Sequence, residues 1–317
     1  MNLKELSVII VHYNTPDLLT RCINSILESE FDLTTSEIIV VDNNSESISS
    51  EIINNMFPFV IWIQKEINDG FGRANNIGFA KSTGKYILLI NSDIVVEKHT
   101  IALSLNRIQN NKAIGALGCK LLNDDGTEQK SVYHNVLSCK WLLAQNTIIS
   151  HLIKYSTRQP DALMGSFLLI PRSVYDSTEG FDPDFFMYSE EIDLCIRIKQ
   201  RGYILDYFDS VYAWHKHGAS SSDKKWSYKQ RMLSHSLLVY KRKGLINYIL
   251  YHFLFTFNSI TNFLSMWFFK GLAGENYRNS YFKEQSYYIC NIGQYLVLPF
   301  KFRRKRGSGQ KLLRVKS

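Results

Sequence analysis

An α/β fold with a mostly parallel central sheet and a helical C-terminal extension is predicted by three observations. The apolar, β-branched runs at Leu6–Tyr13, Glu37–Val41 and Tyr86–Ile90 are continuous, the pattern of strands buried on both faces. Segments of helical period separate them, so the chain opens as strand–helix–strand units. Each run ends in polar residues: Tyr13-Asn14, Asp42-Asn43-Asn44 and Asn91-Ser92-Asp93. Ligands of such sheets bind beyond the carboxyl ends of the strands, so these three clusters are expected to share one edge.

The elements follow in order. Asn14-Thr15-Pro16-Asp17 ends the first strand, and Leu18, Leu19, Cys22, Ile23, Ile26 and Leu27 then recur at helical spacing. A strand at Glu37–Val41, a helix and a short strand at Val60–Gln64 come next. A glycine-bearing loop leads to a helix around Asn75–Ser82 and the strand Tyr86–Ile90. From about Ala113 the pattern is mixed, with strands at Gly165–Pro171 and Tyr203–Phe208 and a helix at Ser189–Gly202 carrying charges on one side. Leu245–Phe269 contains no Asp, Glu, Lys or Arg and is long enough to span a bilayer. Its Asn247, Asn258, Thr261, Asn262 and Ser265 fall on one helical stripe, which fits better an amphipathic unit that packs on the domain or lies in the membrane interface.

Composition narrows the function. Hydrophobic residues at 45% and charged residues at 21% of 317 exclude a disordered or fibrous chain. Lys301 to Ser317 hold eight basic residues and no acidic one, and the remaining 29 Lys and Arg balance the 29 Asp and Glu. The net charge of +8 therefore sits in the tail, and no nucleic-acid-binding face is expected on the body. Cys22, Cys119, Cys139, Cys195 and Cys290 form no CxxC pair, which argues against a disulfide framework or a cysteine zinc site and fits a reducing compartment. Met1-Asn2-Leu3-Lys4-Glu5 runs into the first strand without an apolar leader, so a cytoplasmic location is expected. A nicotinamide-binding sheet is excluded, because His12-Tyr13-Asn14-Thr15 stand where a GxGxxG turn would be needed.

Six blocks carry a family resemblance: SVIIVHYN at Ser7–Asn14, IIVVDNNS at Ile38–Ser45, NDGFGRANNIGF at Asn68–Phe79, YILLINSD at Tyr86–Asp93, GFDPDFFMYSEEIDLCIR at Gly180–Arg197 and WHKHGASS at Trp214–Ser221. In this order the chain resembles the family-two inverting glycosyltransferases of the GT-A fold, a Rossmann-like architecture. Within them it looks like the bacterial rhamnosyl- and galactofuranosyl-transferase-like enzymes of cell-surface polysaccharide synthesis. The resemblance runs from about Leu6 to Ser222 and is weaker beyond. It implies nucleotide-sugar binding in residues 1–110 and acceptor binding with the catalytic base in 111–235. A helical, aromatic-rich, membrane-associating unit at 236–300 and a basic tail at 301–317 would follow.

The implied reaction is displacement at an anomeric carbon by an acceptor hydroxyl, with a nucleoside diphosphate leaving. A divalent cation, Mn2+ or Mg2+, would offset the charge that builds on the diphosphate. Asn91-Ser92-Asp93 stands where the family carries DxD, with an amide in place of the first carboxylate; alone it could equally be a strand-end turn. The resemblance makes Asp93 the metal ligand, with Asn91 nearer the ribose, and gives His215 the metal-linked histidine position, with His217 the alternative. Glu190-Glu191 matches the family's Glu-Asp pair, whose second member is the implied general base. Glu191 is then the base, Glu190 the runner-up, and Asp193 a cap or orienting group; a solvated acidic helix start would also explain clustered acids. For the donor, Asp42 suits the base or ribose, Tyr13 and the adjoining Asn14 the nucleotide, and Arg73 the diphosphate. Asn75 and Asn76 would either touch the donor or start a helix.

The expected partners are a UDP- or dTDP-sugar, a glycan or lipid-linked saccharide acceptor, and an anionic membrane surface met by the C-terminal aromatic segment and basic tail. No nucleic acid is expected. The tail could alternatively be a solubilising extension. A non-catalytic nucleotide-sugar-binding scaffold is the competing function, supported by the altered Asn-Ser-Asp and Glu-Glu motifs.

Overall fold

The chain's first elements follow from its apolar periodicity. The computed structural model describes residues 4–46, 50–144, 159–216, 223–268 and 292–307. In chain order these are β1 (Leu6–His12), α1 (Pro16–Glu28), β2 (Ser36–Asp42), α2 (Ser50–Met56), β3 (Ile61–Gln64), α3 (Phe71–Lys81), β4 (Tyr86–Asn91), β5 (Ile94–Val96), α4 (Thr100–Asn110) and β6 (Ile114–Leu122). Then come β7 (Val132–Tyr133), α5 (Cys139–Ala144), β8 (Ala162–Leu163), β9 (Phe167–Pro171), α6 (Arg172–Ser177), α7 (Glu190–Gln200), β10 (Ile204–His215), α8 (Lys224–Phe268) and α9 (Leu298–Gly307). Contacts divide the chain into two units, Met1–His134 with Gln159–Asp223, and Asn135–Arg158 with Lys224–Ser317.

The first unit is an eight-stranded sheet of order β3-β2-β1-β4-β9-β6-β10-β5. The pairs β2–β3, β1–β2, β1–β4 and β6–β10 are parallel, whereas β9 and β5 run antiparallel to their neighbours. The continuous apolar runs are buried throughout: Val8, Ile10, Ile38, Val40, Leu88 and Ile90 sit in one core with Leu19, Cys22, Ile23 and Ile26 of α1. Each such side chain contributes about 1.5–3 kcal/mol by leaving water. Pro16 opens α1, where its missing N–H costs nothing.

Three boundaries differ from the sequence reading. Helix α3 begins at Phe71, so Asn75 and Asn76 lie inside it and do not start it. Strand β9 begins at Phe167, leaving Gly165 and Ser166 in the turn before it. Strand β10 continues past Phe208 to His215, through an irregular register between Phe208 and Tyr212 that hid its second half. That extension pairs with β5, His215 opposite Ile94.

In the second unit, α8 is two helical runs meeting at Gly244, whose φ of 77° and ψ of 178° leave the helical region. Leu142 of α5 packs with Val239, Tyr248 and Tyr251 of α8. The polar stripe expected along α8 is split: Asn258 and Asn262 are buried, Asn258 donating to the Leu142 carbonyl, while Asn247 is exposed. Ser265's side chain, His217 and residues 308–317 of the basic tail lie outside the described residues. Among the described residues no helix is long and apolar enough to cross a membrane.

Candidate active site

Register brings the three polar clusters to one edge, as expected. His12 lies opposite Asp42 across β1–β2, and Val11 opposite Asn91 across β1–β4. The start of β9 meets the same edge, where the Asn91 amide donates to the Ser166 carbonyl at 3.1 Å. Six buried side-chain polar atoms at this edge, within α3 and at the start of α7 lack a hydrogen-bond partner among the described residues: His12 Nε2, Asn75 Oδ1, Asn91 Oδ1, Asp93 Oδ1, Ser166 Oγ and Glu190 Oε2. Each unsatisfied group costs about 1–3 kcal/mol in isolation, so their concentration marks a place built for a polar ligand.

Asp93 lies in the two-residue turn between β4 and β5, and the β5–β10 pairing carries His215 to it. The His215 Nε2 and Asp93 Oδ1 atoms are 3.4 Å apart, both residues being buried. The Lys216 amide donates to the Asp93 carbonyl at 3.0 Å and holds the two segments together. On the far side of the ring, His215 Nδ1 is 2.9 Å from Gln129 Oε1. An imidazole nitrogen and a carboxylate oxygen that lacks a hydrogen-bond donor fit a divalent cation of the Mn2+ or Mg2+ kind. Among the described residues no three His, Cys, Asp or Glu side chains gather as a ready-made metal cluster.

Asp42 is fully buried and engaged by the protein itself. It accepts from the Ser45 hydroxyl, from the Ser45 amide at 3.0 Å and from Gln64 Nε2 at 2.5 Å. Gln64 in turn accepts from Trp62 Nε1 at 3.1 Å. Burial pushes the His12 imidazole down to about 4, against the pull of Asp42 at 4.0 Å. Asn14, at φ 54°, ties the ends of β1 and β2: its amide donates to Ser45 Oγ, and its side-chain oxygen accepts from the Glu46 amide, each at 2.8 Å. Tyr13 is half-buried on the same edge.

The acids at the start of α7 are not solvated: Glu190, Glu191 and Asp193 are all buried. Burial, reinforced by Glu191, pushes the Glu190 carboxyl well above the usual range. Burial also raises Glu191, opposed by hydrogen bonds from the backbone at the start of α7 and from Tyr133. Asp193 is an anchor, paired with Arg197 Nε at 2.8 Å, and Arg197 also donates to the Thr178 carbonyl. Tyr188 and Ser189 precede the pair with φ of 68° and 67°, successive left-handed residues that only a well-determined surrounding sustains.

The loop before α3 and the segment before α7 are stitched together. Phe71 donates its amide to the Phe186 carbonyl at 3.0 Å. Arg73 Nε donates to the Pro183 carbonyl at 2.8 Å. Asn76 bonds the Phe181 backbone through both ends of its amide, at 2.8 and 2.9 Å. Asn75 donates to the Phe71 carbonyl at 3.1 Å and keeps its oxygen unpartnered. Arg73 and Asn76 thus brace the acidic segment, whereas the Asn75 side chain is buried within the fold. Gln129, Gln64 and Tyr133 were not legible as site residues, because none stands in a motif and their partners are remote in sequence; His12 stands in the first block but was not singled out.

The description "Glycosyl transferase family 2" matches residues 7–196. The chain is 28% identical over 190 residues to rhamnosyltransferase WbbL of Escherichia coli K12, covering 56% of this chain and 72% of that one. It is 26% identical over 210 residues to the N-acetylglucosaminyl-diphospho-decaprenol L-rhamnosyltransferase of Mycobacterium tuberculosis H37Rv, covering 59% and 68%. Against the probable glycosyltransferase YdaM of Bacillus subtilis, 25% identical, it covers 67% of itself and about half, 51%, of the relative. Among solved structures, a mannosyltransferase of Pyrobaculum calidifontis in complex with GDP-Man and Mn2+ superposes with a TM-score of 0.63 at 14% identity, over 93% of this chain and 88% of that one. GalNAc-T7 with UDP, GalNAc and Mn2+ gives 0.53 at 19%, over 68% and 44%. These two likenesses establish the GT-A-type fold, and the match over residues 7–196 places the chain in glycosyl transferase family 2.

Proposed function

We propose that the chain transfers a sugar, with inversion, from a nucleoside-diphosphate sugar to a hydroxyl of a glycan or lipid-linked saccharide in cell-surface polysaccharide synthesis. The observation that carries this is the pairing, in one unit, of the buried Asp93–His215 couple with the buried Glu190–Glu191 pair. Displacement needs charge neutralised at the leaving diphosphate and a proton removed from the acceptor, and these two pairs suit the two tasks. The names of the E. coli and M. tuberculosis relatives favour transfer of a deoxyhexose, and the second a lipid-linked acceptor; the donor in this reading is a dTDP- or UDP-sugar.

A bound Mn2+ or Mg2+ would supply Lewis acidity to the diphosphate, held by Asp93 and His215 together with the diphosphate oxygens. Asn91 and Asn75 present amide oxygens to the donor's hydroxyls. Tyr13 offers a face to the nucleobase, and Asp42 orders that wall through Ser45 and Gln64. Arg73 holds the Pro183 loop and is close enough in sequence to the Gly70 turn to meet the diphosphate as well. Glu191, as carboxylate, accepts the acceptor's hydroxyl proton while the new glycosidic bond forms and the anomeric carbon–diphosphate bond breaks. Glu190, whose carboxyl burial and the neighbouring Glu191 push well above the usual range, keeps its proton and leaves Glu191 the ionised member of the pair. The test is release of nucleoside diphosphate from a panel of sugar nucleotides; binding without product would favour the scaffold reading.

We propose in addition a peripheral position at an anionic membrane, at its cytoplasmic face; the membrane contact is supported by the second unit. Along α8, Ile246, Ile249, Leu250, Phe253, Phe257, Ile260 and Leu264 form an exposed stripe, Ile246 at 83% and Phe253 at 67%. The opposite stripe buries Tyr248, His252, Asn258, Ser259 and Asn262. A helix with its apolar side outward and its polar side inward suits a surface that meets lipid. Lys241, Arg242 and Lys243 precede the stripe, and α9 carries Lys301, Arg303, Arg304, Lys305 and Arg306. Each such charge near an anionic surface adds about 1 kcal/mol.

A further inference from the structure

Gln129 grips His215 twice. Its Nε2 donates to the His215 carbonyl at 2.6 Å and to Asn123 Oδ1 at 2.7 Å, and its Oε1 lies 2.9 Å from His215 Nδ1. The two carbonyl acceptors decide which end of the amide is nitrogen. The end facing Nδ1 is therefore an oxygen, which can only accept. In the neutral ring the hydrogen then sits on Nδ1 and the lone pair on Nε2, the nitrogen 3.4 Å from Asp93 Oδ1.

The support behind Gln129 is ordered by its own hydrogen bonds. Asn123 donates through Nδ2 to Thr127 Oγ1 and through its amide to the Thr127 carbonyl, both at 2.8 Å. Thr127 donates to Asp125 Oδ1 through its hydroxyl at 2.6 Å and its amide at 3.0 Å. The Gln129 amide returns to the Leu121 carbonyl at 2.8 Å. The turn at 123–127 is thus a small platform that fixes Asn123 Oδ1, and Asn123 Oδ1 fixes the orientation of the Gln129 amide.

We propose that Gln129 is a positioning residue: it locks His215 in the Nδ1–H tautomer and sets the ring plane, so that Nε2 and Asp93 together face the divalent cation. This rests on the reading of Asp93 and His215 as cation ligands. Partners of this kind, one step behind a metal-ligating histidine, typically change metal affinity by about 10–100-fold when removed.

The test has two readouts on the full chain. Nitrogen-15 NMR of the imidazoles in metal-free protein, with the His215 signals assigned by H215A, is expected to show Nδ1 protonated in wild type and a mixed population in Q129L. An Nε2–H tautomer in wild type overturns the proposal. Titration with Mn2+ alone and with Mn2+ plus UDP, followed by electron paramagnetic resonance, is expected to show about 10–100-fold weaker binding in Q129L. Weaker Mn2+ binding in Q129L with the Nδ1–H tautomer unchanged would mean packing rather than tautomer control and would overturn it. Wild-type affinity in Q129L overturns the role of Gln129 alone, whereas a wild-type chain that binds no Mn2+ overturns the cation reading beneath it.

Discussion

The carbonyl of Phe186 occupies the space that a β-carbon on residue 70 would need. A Cβ built on Gly70 would lie 1.8 Å from that oxygen, and the glycine's φ of 91° is one that L side chains rarely adopt. The contact joins the loop that opens α3 to the segment that delivers the acidic pair, so a backbone approach ties two parts of one unit that are far apart in sequence. Gly70→Ala is expected to lower the unfolding midpoint markedly, by several kcal/mol at the scale of strain and overpacking together, about 1–3 kcal/mol each. Urea unfolding followed by far-UV circular dichroism measures it; an unchanged midpoint would show that the two segments separate freely.

Asp93→Ala and Glu191→Ala are expected to abolish transfer while leaving a folded protein. Loss of the base should cost about 10²–10⁴-fold in kcat. Initial rates alongside near-native circular dichroism check this, and normal turnover in either variant removes that residue from its role. Glu190→Gln separates the pair: if Glu190 only tunes its neighbour, activity falls less than in Glu191→Gln.

The raised proton affinity of Glu190 carries a stability consequence of definite sign. The folded protein keeps this proton at pH values where the unfolded chain, with an ordinary carboxyl near 4.5, has lost it. Stability from this group is therefore full below pH 4.5 and is lost as pH rises. Glu190→Gln, which cannot ionise, is expected to gain in melting temperature relative to wild type as pH goes from 4.5 to 8. Thermal melts across that range test it, and a pH-independent difference would contradict it.

His12, His235 and His252 pull the other way. Burial holds each down to about 4, so the folded chain stays neutral at these rings where the unfolded chain takes up protons below 6.5. Their contribution to stability is full above 6.5 and falls as pH drops toward 4. Replacing His252 with Gln is expected to lessen the loss of melting temperature between pH 6.5 and 4.5, read in the same melts.

The outward stripe of α8 predicts vesicle binding. The double variant Phe253→Glu and Phe257→Glu is expected to lose co-sedimentation with anionic vesicles at low salt. Deleting Lys301 to Ser317 should weaken binding chiefly by removing its salt dependence. Unchanged binding in both would exclude this surface.

Much of the first half of the sheet was legible because β1, β2 and β4 are largely buried and so read as mostly apolar runs that end in polar residues at one edge. The short β5 and the irregular second half of β10 were not, since β5 spans only Ile94–Val96 and β10 loses its apolar rhythm between Phe208 and Tyr212. The meeting of Asp93 with His215 depends on that pairing. It was reached from the family motif, and local pattern alone would not have found it. Gln129 had no signal, because its partner lies across the sheet and a lone glutamine in a turn marks nothing. On the acidic helix, residue type alone suggested solvent exposure, whereas packing against Gly72 and Gly165 buries Glu190 and Glu191.

The central claim meets its most direct test in one assay: the purified chain against UDP-, dTDP- and GDP-sugars, with Mn2+, Mg2+ or chelator, and a lipid-linked saccharide acceptor. Metal-dependent release of one nucleoside diphosphate is expected, silenced by chelator and by Asp93→Ala. Sugar-nucleotide binding with no release from any donor, with or without metal, would contradict it and leave a binding protein on a glycosyltransferase fold.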